Sequence, residues 1–213
     1  LNVACERAGS FMLVGTPCGG KLASEGGAHQ SIGTPLIGMA QDVIAAFEPA
    51  YLDELAIIMN WAFEFMQRDG EGTPNERTWL RDETGGSVYL RLSTRTLDQP
   101  QRIMTPDLQK GITDGAYWLR KPGANCEAVI AYTGAMAPEA IEAVGLIGES
   151  RRDVGLLAIT SSDRLHAGWP SARQFRRDRG GLAHLSPIEK LLAPLPRDCG
   201  IVIGAFELNS WCL

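Results

Sequence analysis

The sequence predicts an α/β fold, because short apolar strand segments alternate with helical segments along its second half. Residues 128–133 and 154–160 are apolar runs typical of buried strands, and a third such run covers residues 199–206. Between the first two runs, residues 138–147 carry apolar side chains at helical spacing. This alternation predicts parallel strands in a sheet that is covered by helices.

The first half contains one short strand and the strongest helix of the chain. Residues 11–14 form an apolar run that predicts a buried strand. Pro49 suits the first turn of a helix, and Asp53 and Glu54 follow where the helix dipole favours acidic side chains. The body, residues 55–66, is apolar nearly all round, which predicts burial on two sides, by a domain core and by a subunit interface.

Four further segments complete the predicted secondary structure. Residues 87–93 predict a strand, whereas residues 96–111 contain two prolines and little periodicity and predict a linker between domains. Residues 170–179 predict a polar helix. Ser186, which is followed by a proline and then by an acid at the third position, predicts the start of another helix.

Composition excludes several classes of protein. The 213 residues carry a formal net charge of −5 and no long basic run, so no nucleic-acid or anionic-membrane partner is expected. No apolar stretch approaches about 20 residues, so no transmembrane helix is expected. The five cysteines contain no C-x-x-C pair, which favours reduced thiols in a cytoplasmic protein over a zinc site or a disulfide framework. The first residue is Leu1, which suggests that the chain begins inside a longer polypeptide.

Two motifs suggest chemistry that the residues around them do not support. Residues 15–21 fit the phosphate-binding pattern G-x-x-x-x-G-K, but Leu22 stands where a serine or threonine must bind magnesium.

Ser161, Asp163 and His166 suggest a hydrolase, with Ser161 or its neighbour as nucleophile. Three groups on one short loop rarely converge into a triad, so a loop that packs at a domain junction is the favoured interpretation. His184 is expected at the surface.

The loop that follows the first strand is the best candidate for a functional site. Glu25 and His29 flank two glycines, which let the backbone bend sharply and approach a ligand. Ligands usually bind at such strand-end loops in α/β sheets, and histidine titrates near neutral pH. From the residues alone, a polar surface turn with an incidental histidine remains the simpler interpretation.

An ordered set of segments favours the functional interpretation of this loop over an incidental surface turn. Residues 25–30, 47–54, 88–91 and 129–136 occur in an order that resembles the C-terminal part of a homodimeric-type pyruvate dehydrogenase, in the transketolase-like superfamily. The resemblance extends to about Val202. It implies a partial thiamine-diphosphate pyrimidine-binding domain, followed by a truncated transketolase-type C-terminal α/β domain.

The resemblance also implies domain boundaries and site residues. Residues 1–95 would form the partial pyrimidine-binding domain, 96–122 a linker and 123–213 the C-terminal domain. His29 would contact the substrate carboxylate or the developing intermediate, and Glu25 would orient His29 or contact a substrate oxygen. No Gly-Asp-Gly sequence is present, so thiamine diphosphate and Mg²⁺ would be held mainly by segments absent from this chain.

The implied activity is the oxidative decarboxylation of pyruvate, with acetyl transfer to a lipoyl-bearing acyltransferase component and a homodimeric enzyme. The isolated chain is expected to be inactive. Two alternatives from the same resemblance stay open: transfer of ketol units between sugar phosphates by a transketolase, and a non-catalytic fragment that only dimerises or docks.

Overall fold

A computed structural model describes residues 10–15, 36–39, 41, 43–68, 80–150, 153–179 and 184–204. Its helices and strands follow one another as β1 (Met12–Gly15), α1 (Leu36–Met39), β2 (Ile44–Phe47), α2 (Leu52–Met66), β3 (Ser87–Arg91), α3 (Pro106–Asp114), β4 (Ala116–Arg120), β5 (Ala128–Thr133), α4 (Ala137–Ser150), β6 (Val154–Ile159), α5 (Ser162–Arg179), α6 (Pro187–Leu192) and β7 (Gly200–Gly204). A single 3₁₀ turn, Gly134–Met136, leads from β5 into α4.

The described strands form two sheets. The first has the order β1-β3-β2 and is parallel throughout, and the second has the order β4-β6-β5-β7. In the second sheet β5, β6 and β7 are parallel, but β4 pairs antiparallel with β6. The α/β class is therefore confirmed. The expectation of parallel strands fails at β4, which is the antiparallel edge strand that many otherwise parallel sheets carry.

One apolar core joins the two sheets. It contains Phe47 and Leu90 from the first sheet, Ile58 from α2, and Ile130 and Tyr132 from the second sheet. Helix α2 lies at its centre, and its inward side chains are fully buried while others on the helix remain exposed. The predicted burial of α2 on one side is thus confirmed within the chain.

The segment expected as a linker contains regular structure in its second half. Residues 96–105 have no helix or strand, as the prolines suggest, but α3 and β4 follow immediately. Thr105 caps α3 by accepting a hydrogen bond from the Leu108 amide (3.2 Å), and Gly115 ends it in the left-handed conformation. The boundaries of the two predicted domains and of the linker between them stay a prediction.

The predicted loop around residue 165 is wrong, because α5 already begins at Ser162 and runs through Pro170 to Arg179. Ser161 caps this helix, since its hydroxyl accepts a hydrogen bond from the Arg164 amide (3.0 Å). Helix α2 also begins later than expected, at Leu52 rather than Pro49.

Helix α1 and strand β2 were not predicted from the sequence. Strands β1, β3, β5, β6 and β7 and helix α4 lie within three residues of their predicted bounds. The helix predicted after Ser186 is α6, and Ser186 and Glu189 form the expected reciprocal cap. No helix in the described part of the chain is long and apolar enough to cross a membrane.

Candidate functional site at the carboxyl ends of the strands

The carboxyl ends of the three strands of the first sheet lie side by side. Gly15 at the end of β1 is paired with Arg91 at the end of β3, and Phe47 at the end of β2 is paired with Leu90. Glu48, the residue after Phe47, therefore comes level with Arg91. Ligands of parallel α/β sheets bind at this edge, so these residues define the candidate site.

Glu48 and Arg91 form an ion pair at this edge. Both carboxylate oxygens of Glu48 lie 2.9 Å from Nη1 of Arg91. The two side chains are only 19% and 8% exposed, so solvent screens their attraction less than at an open surface. The pair fixes the ends of β2 and β3 relative to each other.

The second sheet presents its own carboxyl ends to the same place. The Glu48 amide donates a hydrogen bond to the carbonyl oxygen of Thr160 (2.7 Å), directly after β6. Gly134, directly after β5, has a φ of +50°, and a Cβ there would lie 2.8 Å from the Glu48 side chain. Glycine is therefore required at this close approach. The two sheets meet at Glu48 through their carboxyl edges.

The predicted site residues Glu25 and His29 lie outside the described residues. The chain nevertheless leaves β1 after Gly15, at the same edge as Glu48 and Arg91. The segment that contains them therefore begins at the candidate site. Of the phosphate-loop pattern at 15–21, only Gly15 is described.

A second polar cluster surrounds the start of α2. Glu54 is 1% exposed, and one of its oxygens accepts hydrogen bonds from the backbone amides of Ala50 (2.7 Å) and Tyr51 (3.1 Å). Its other oxygen accepts a very short hydrogen bond from the hydroxyl of Tyr117 on β4. These bonds hold the residues before α2 in a capping turn, which is why the helix begins at Leu52.

Arg102 connects this cluster to the segment between the sheets. It binds both carboxylate oxygens of Asp53 at 2.7 Å and contacts the Tyr117 hydroxyl at 2.6 Å. Burial raises the pKa of Glu54 above its ordinary value, against the opposing hydrogen bonds from Tyr117 and the backbone. Burial alone would lower the pKa of Arg102, but its hydrogen bonds to Asp53 and Tyr117 raise it. The bonds between Glu54 and Tyr117 and between Arg102 and both Asp53 and Tyr117 join α2 to the second sheet.

Ser161, Asp163 and His166 do not form a triad. The Ser161 hydroxyl donates to the carbonyl oxygen of Ala46 (2.5 Å), and the Asp163 carboxylate accepts from the Ala46 amide (3.0 Å). Both therefore bind the backbone of β2, while His166 is exposed on α5. These bonds pack the start of α5 against β2, on a helix rather than on the predicted loop. His184 is exposed as expected, and its ring lies tilted to that of Phe175 with 4.4 Å between the ring centres.

The described residues do not fit the magnesium ion of the implied cofactor. Nowhere in the described ranges do three His, Cys, Asp or Glu side chains converge to hold a metal ion. The acid at the candidate edge, Glu48, is already paired with Arg91.

Several solved transketolase structures are similar to this chain in fold. A transketolase mutant from Pichia stipitis is similar over 90% of this chain and 22% of its own, with a TM-score of 0.58 and 17% identity. A second P. stipitis transketolase mutant, in complex with fructose 6-phosphate, is similar over 87% of this chain and 21% of its own (TM-score 0.53, 18% identity). The transketolase from Leishmania mexicana gives a TM-score of 0.56 at 15% identity, over 86% and 22% of the two chains.

These similarities define an α/β fold of the transketolase type. The chain spans about a fifth of the length of the transketolases that it matches. No protein-family model matches the sequence, and no curated protein matches it. At this level of identity the similarity shows the fold alone, and it does not single out pyruvate dehydrogenase.

Proposed function

We propose that the chain is part of a cytoplasmic, thiamine-diphosphate-dependent enzyme that transfers ketol units between sugar phosphates, as a transketolase does. The observation that carries this proposal is the fold shared with transketolases over nine-tenths of the chain. One of those transketolases is in complex with a sugar phosphate.

The site of this activity would lie at the edge where Glu48 and Arg91 meet. The segment with Glu25 and His29 begins there, and both sheets direct their strand ends to it. In the proposed enzyme His29 contacts the substrate, and Glu25 orients the His29 ring or contacts a substrate oxygen. The Glu48–Arg91 pair holds the strand ends at this edge in place. Thiamine diphosphate and Mg²⁺ would be bound mainly by other segments, because the described residues offer no set of ligands for them.

Oxidative decarboxylation of pyruvate is the second candidate. It is favoured by the order of the segments at 25–30, 47–54, 88–91 and 129–136, which resembles the pyruvate dehydrogenase branch. In that case the acetyl group would pass to a lipoyl-bearing acyltransferase component.

Two assays on the full-length product of the gene that encodes this chain separate the candidates. The proposal predicts ketol transfer between a ketose phosphate and an aldose phosphate, dependent on thiamine diphosphate. Turnover of pyruvate with lipoamide, without ketol transfer, would replace the proposal by the second candidate. Absence of both activities, with no heat of cofactor binding, would leave the non-catalytic docking fragment.

We further propose that the enzyme is a homodimer that buries the outer face of α2. This face is an apolar stripe made of the exposed Leu52, Ala56 and Phe63 and the half-buried Met59 and Met66, which also contact the core. The residues follow one another at intervals of four and three, which is the spacing of the contact seam between two packed helices. Leu52 and Phe63 are 68% and 48% exposed in the single chain, and they lie on the same stripe.

Analytical ultracentrifugation tests the dimer. Phe63→Glu should convert a dimer to monomers, because it places a charge in the apolar stripe. Glu64→Gln is the matched control at the neighbouring exposed position, and it should leave the dimer intact. A monomeric wild type, or a Phe63→Glu variant that still dimerises, would contradict this arrangement.

A further inference from the structure

Two cysteines that are far apart in the sequence lie next to each other in the fold. The sulfur atoms of Cys126 and Cys199 are 3.7 Å apart although 73 residues separate them. Both are free thiols. Cys126 is 2% exposed and its thiol donates a hydrogen bond to the carbonyl oxygen of Ala128 (3.1 Å), whereas Cys199 is half-buried.

The strands that follow the two cysteines hold this arrangement in place. Strands β5 and β7 are parallel neighbours with Ala128 opposite Gly200, and the Gly200 amide donates to the carbonyl oxygen of Glu127 (3.0 Å). This pairing keeps the residues just before the two strands close together. Closure to a disulfide shortens the sulfur–sulfur distance from 3.7 Å to the bonding distance of about 2.05 Å.

We propose that Cys126 and Cys199 are a thiol pair that closes to a disulfide under oxidation and clamps β7 to β5. Within the described residues, β5 is the only strand that pairs with β7. Ile201, Val202 and Ile203 of β7 are 45%, 59% and 61% exposed, so few side chains among the described residues pack on this strand. A covalent link at its start adds to the backbone pairing with β5. In a reducing compartment the link opens, which makes the clamp sensitive to redox state.

The oxidant in this reaction is a small-molecule disulfide such as glutathione disulfide. The thiolate of Cys199, the more accessible of the two, attacks one sulfur of the oxidant and releases one thiolate. Cys126 then gives its proton to that thiolate, and its sulfur attacks the Cys199 sulfur. The second small molecule leaves as a thiolate and takes up the proton that Cys199 had lost to solvent. Two protein thiols and one disulfide give one protein disulfide and two small thiols. Burial and the hydrogen bond with Cys126 raise the pKa of Cys199 to about 11, so closure should accelerate as the pH rises above neutral.

The test uses the 213-residue chain with Cys5→Ser, Cys18→Ser and Cys212→Ser. The last change is needed because trypsin leaves Cys199 and Cys212 in one peptide, residues 198–213. The protein is equilibrated with glutathione disulfide, the remaining thiols are alkylated, and the chain is digested without reduction. We expect a linked pair of peptides, 121–151 with 198–213, that disappears on reduction.

Thermal unfolding gives a second readout. Oxidation should raise the unfolding midpoint by roughly 5 to 15 °C, because the link closes a long loop in the unfolded chain. Cys126→Ser keeps the hydrogen-bond donor and should abolish both the linked peptide and the rise. Cys199→Ser at the half-buried position should do the same without disturbing the core. Thiols that remain alkylatable, or glutathione bound to Cys199 without a link to Cys126, would overturn the proposal.

Discussion

Two clusters of acid and arginine flank the start of α2, and they differ in what surrounds them. Glu48 and Arg91 meet at the carboxyl edge of the strands, and Glu48 keeps 19% of its side chain exposed. Glu54 is 1% exposed and accepts hydrogen bonds from two backbone amides and Tyr117. The first cluster connects strand ends at an edge where a ligand can approach. The second is enclosed, so its role is to stabilise the fold.

Removing the enclosed carboxylate should have the largest effect on stability. Glu54→Ala leaves Tyr117 and Arg102 without their buried partner and opens the capping turn, so we expect a loss of about 3–5 kcal/mol in the free energy of unfolding. Urea denaturation measures this loss. Glu64→Ala, at an exposed position of the same helix, should change stability by about 0.5 kcal/mol or less. Equal effects of the two variants would show that the cluster does not stabilise the fold.

Separating the edge pair should have a smaller effect. A double-mutant cycle of Glu48→Ala and Arg91→Ala should give a coupling free energy of about 1–3 kcal/mol, because the pair is only partly buried. Denaturant unfolding of the wild type, the two single variants and the double variant supplies the four values. If the stability loss of the double variant equals the sum of the losses of the two single variants, the ion pair does not connect β2 and β3.

The smallest effect should come from an ion pair outside both clusters. The hydrogen bond from Arg176 lowers the pKa of Glu189 to about 2. A carboxylate with a lowered pKa stabilises the fold above the pKa of the unfolded chain, near 4.5, and this contribution is lost as the pH falls toward 2. Glu189→Gln should therefore flatten the decline of stability in this window, by no more than about 1 kcal/mol because the pair is partly exposed. If the free energy of unfolding of Glu189→Gln falls with pH as steeply as that of the wild type, Arg176 does not stabilise the fold through Glu189.

The sequence predicts those parts of the fold whose signals are local. Strands β5 and β6 are continuous apolar runs, α4 has helical periodicity, and α6 begins with a serine cap, so all were recognised. Strands β2 and β4, helices α1 and α3 and the first half of α5 were missed. Strand β4 is stabilised by pairing with β6, and Ser161 and Asp163 bind Ala46 more than 110 residues away. Contacts of this kind leave no periodic pattern in the chain.

The candidate site was predictable only in part. Glu25 and His29 were found from a motif, and they lie outside the described residues. Arg91 carried a usable signal, since it is a charged residue at the carboxyl end of a strand whose three preceding residues are apolar or aromatic. Its partner Glu48 lies 43 residues away, and nothing in the sequence pairs the two.

The central claim, that the segment after β1 brings His29 to a substrate at this edge, is tested most directly by turnover of the full-length protein. His29→Ala should lower turnover by about 100-fold or more while the dissociation constant of thiamine diphosphate stays unchanged. His184→Ala, at an exposed position, should match the wild type. Wild-type turnover in His29→Ala would contradict the claim and remove this histidine from the site.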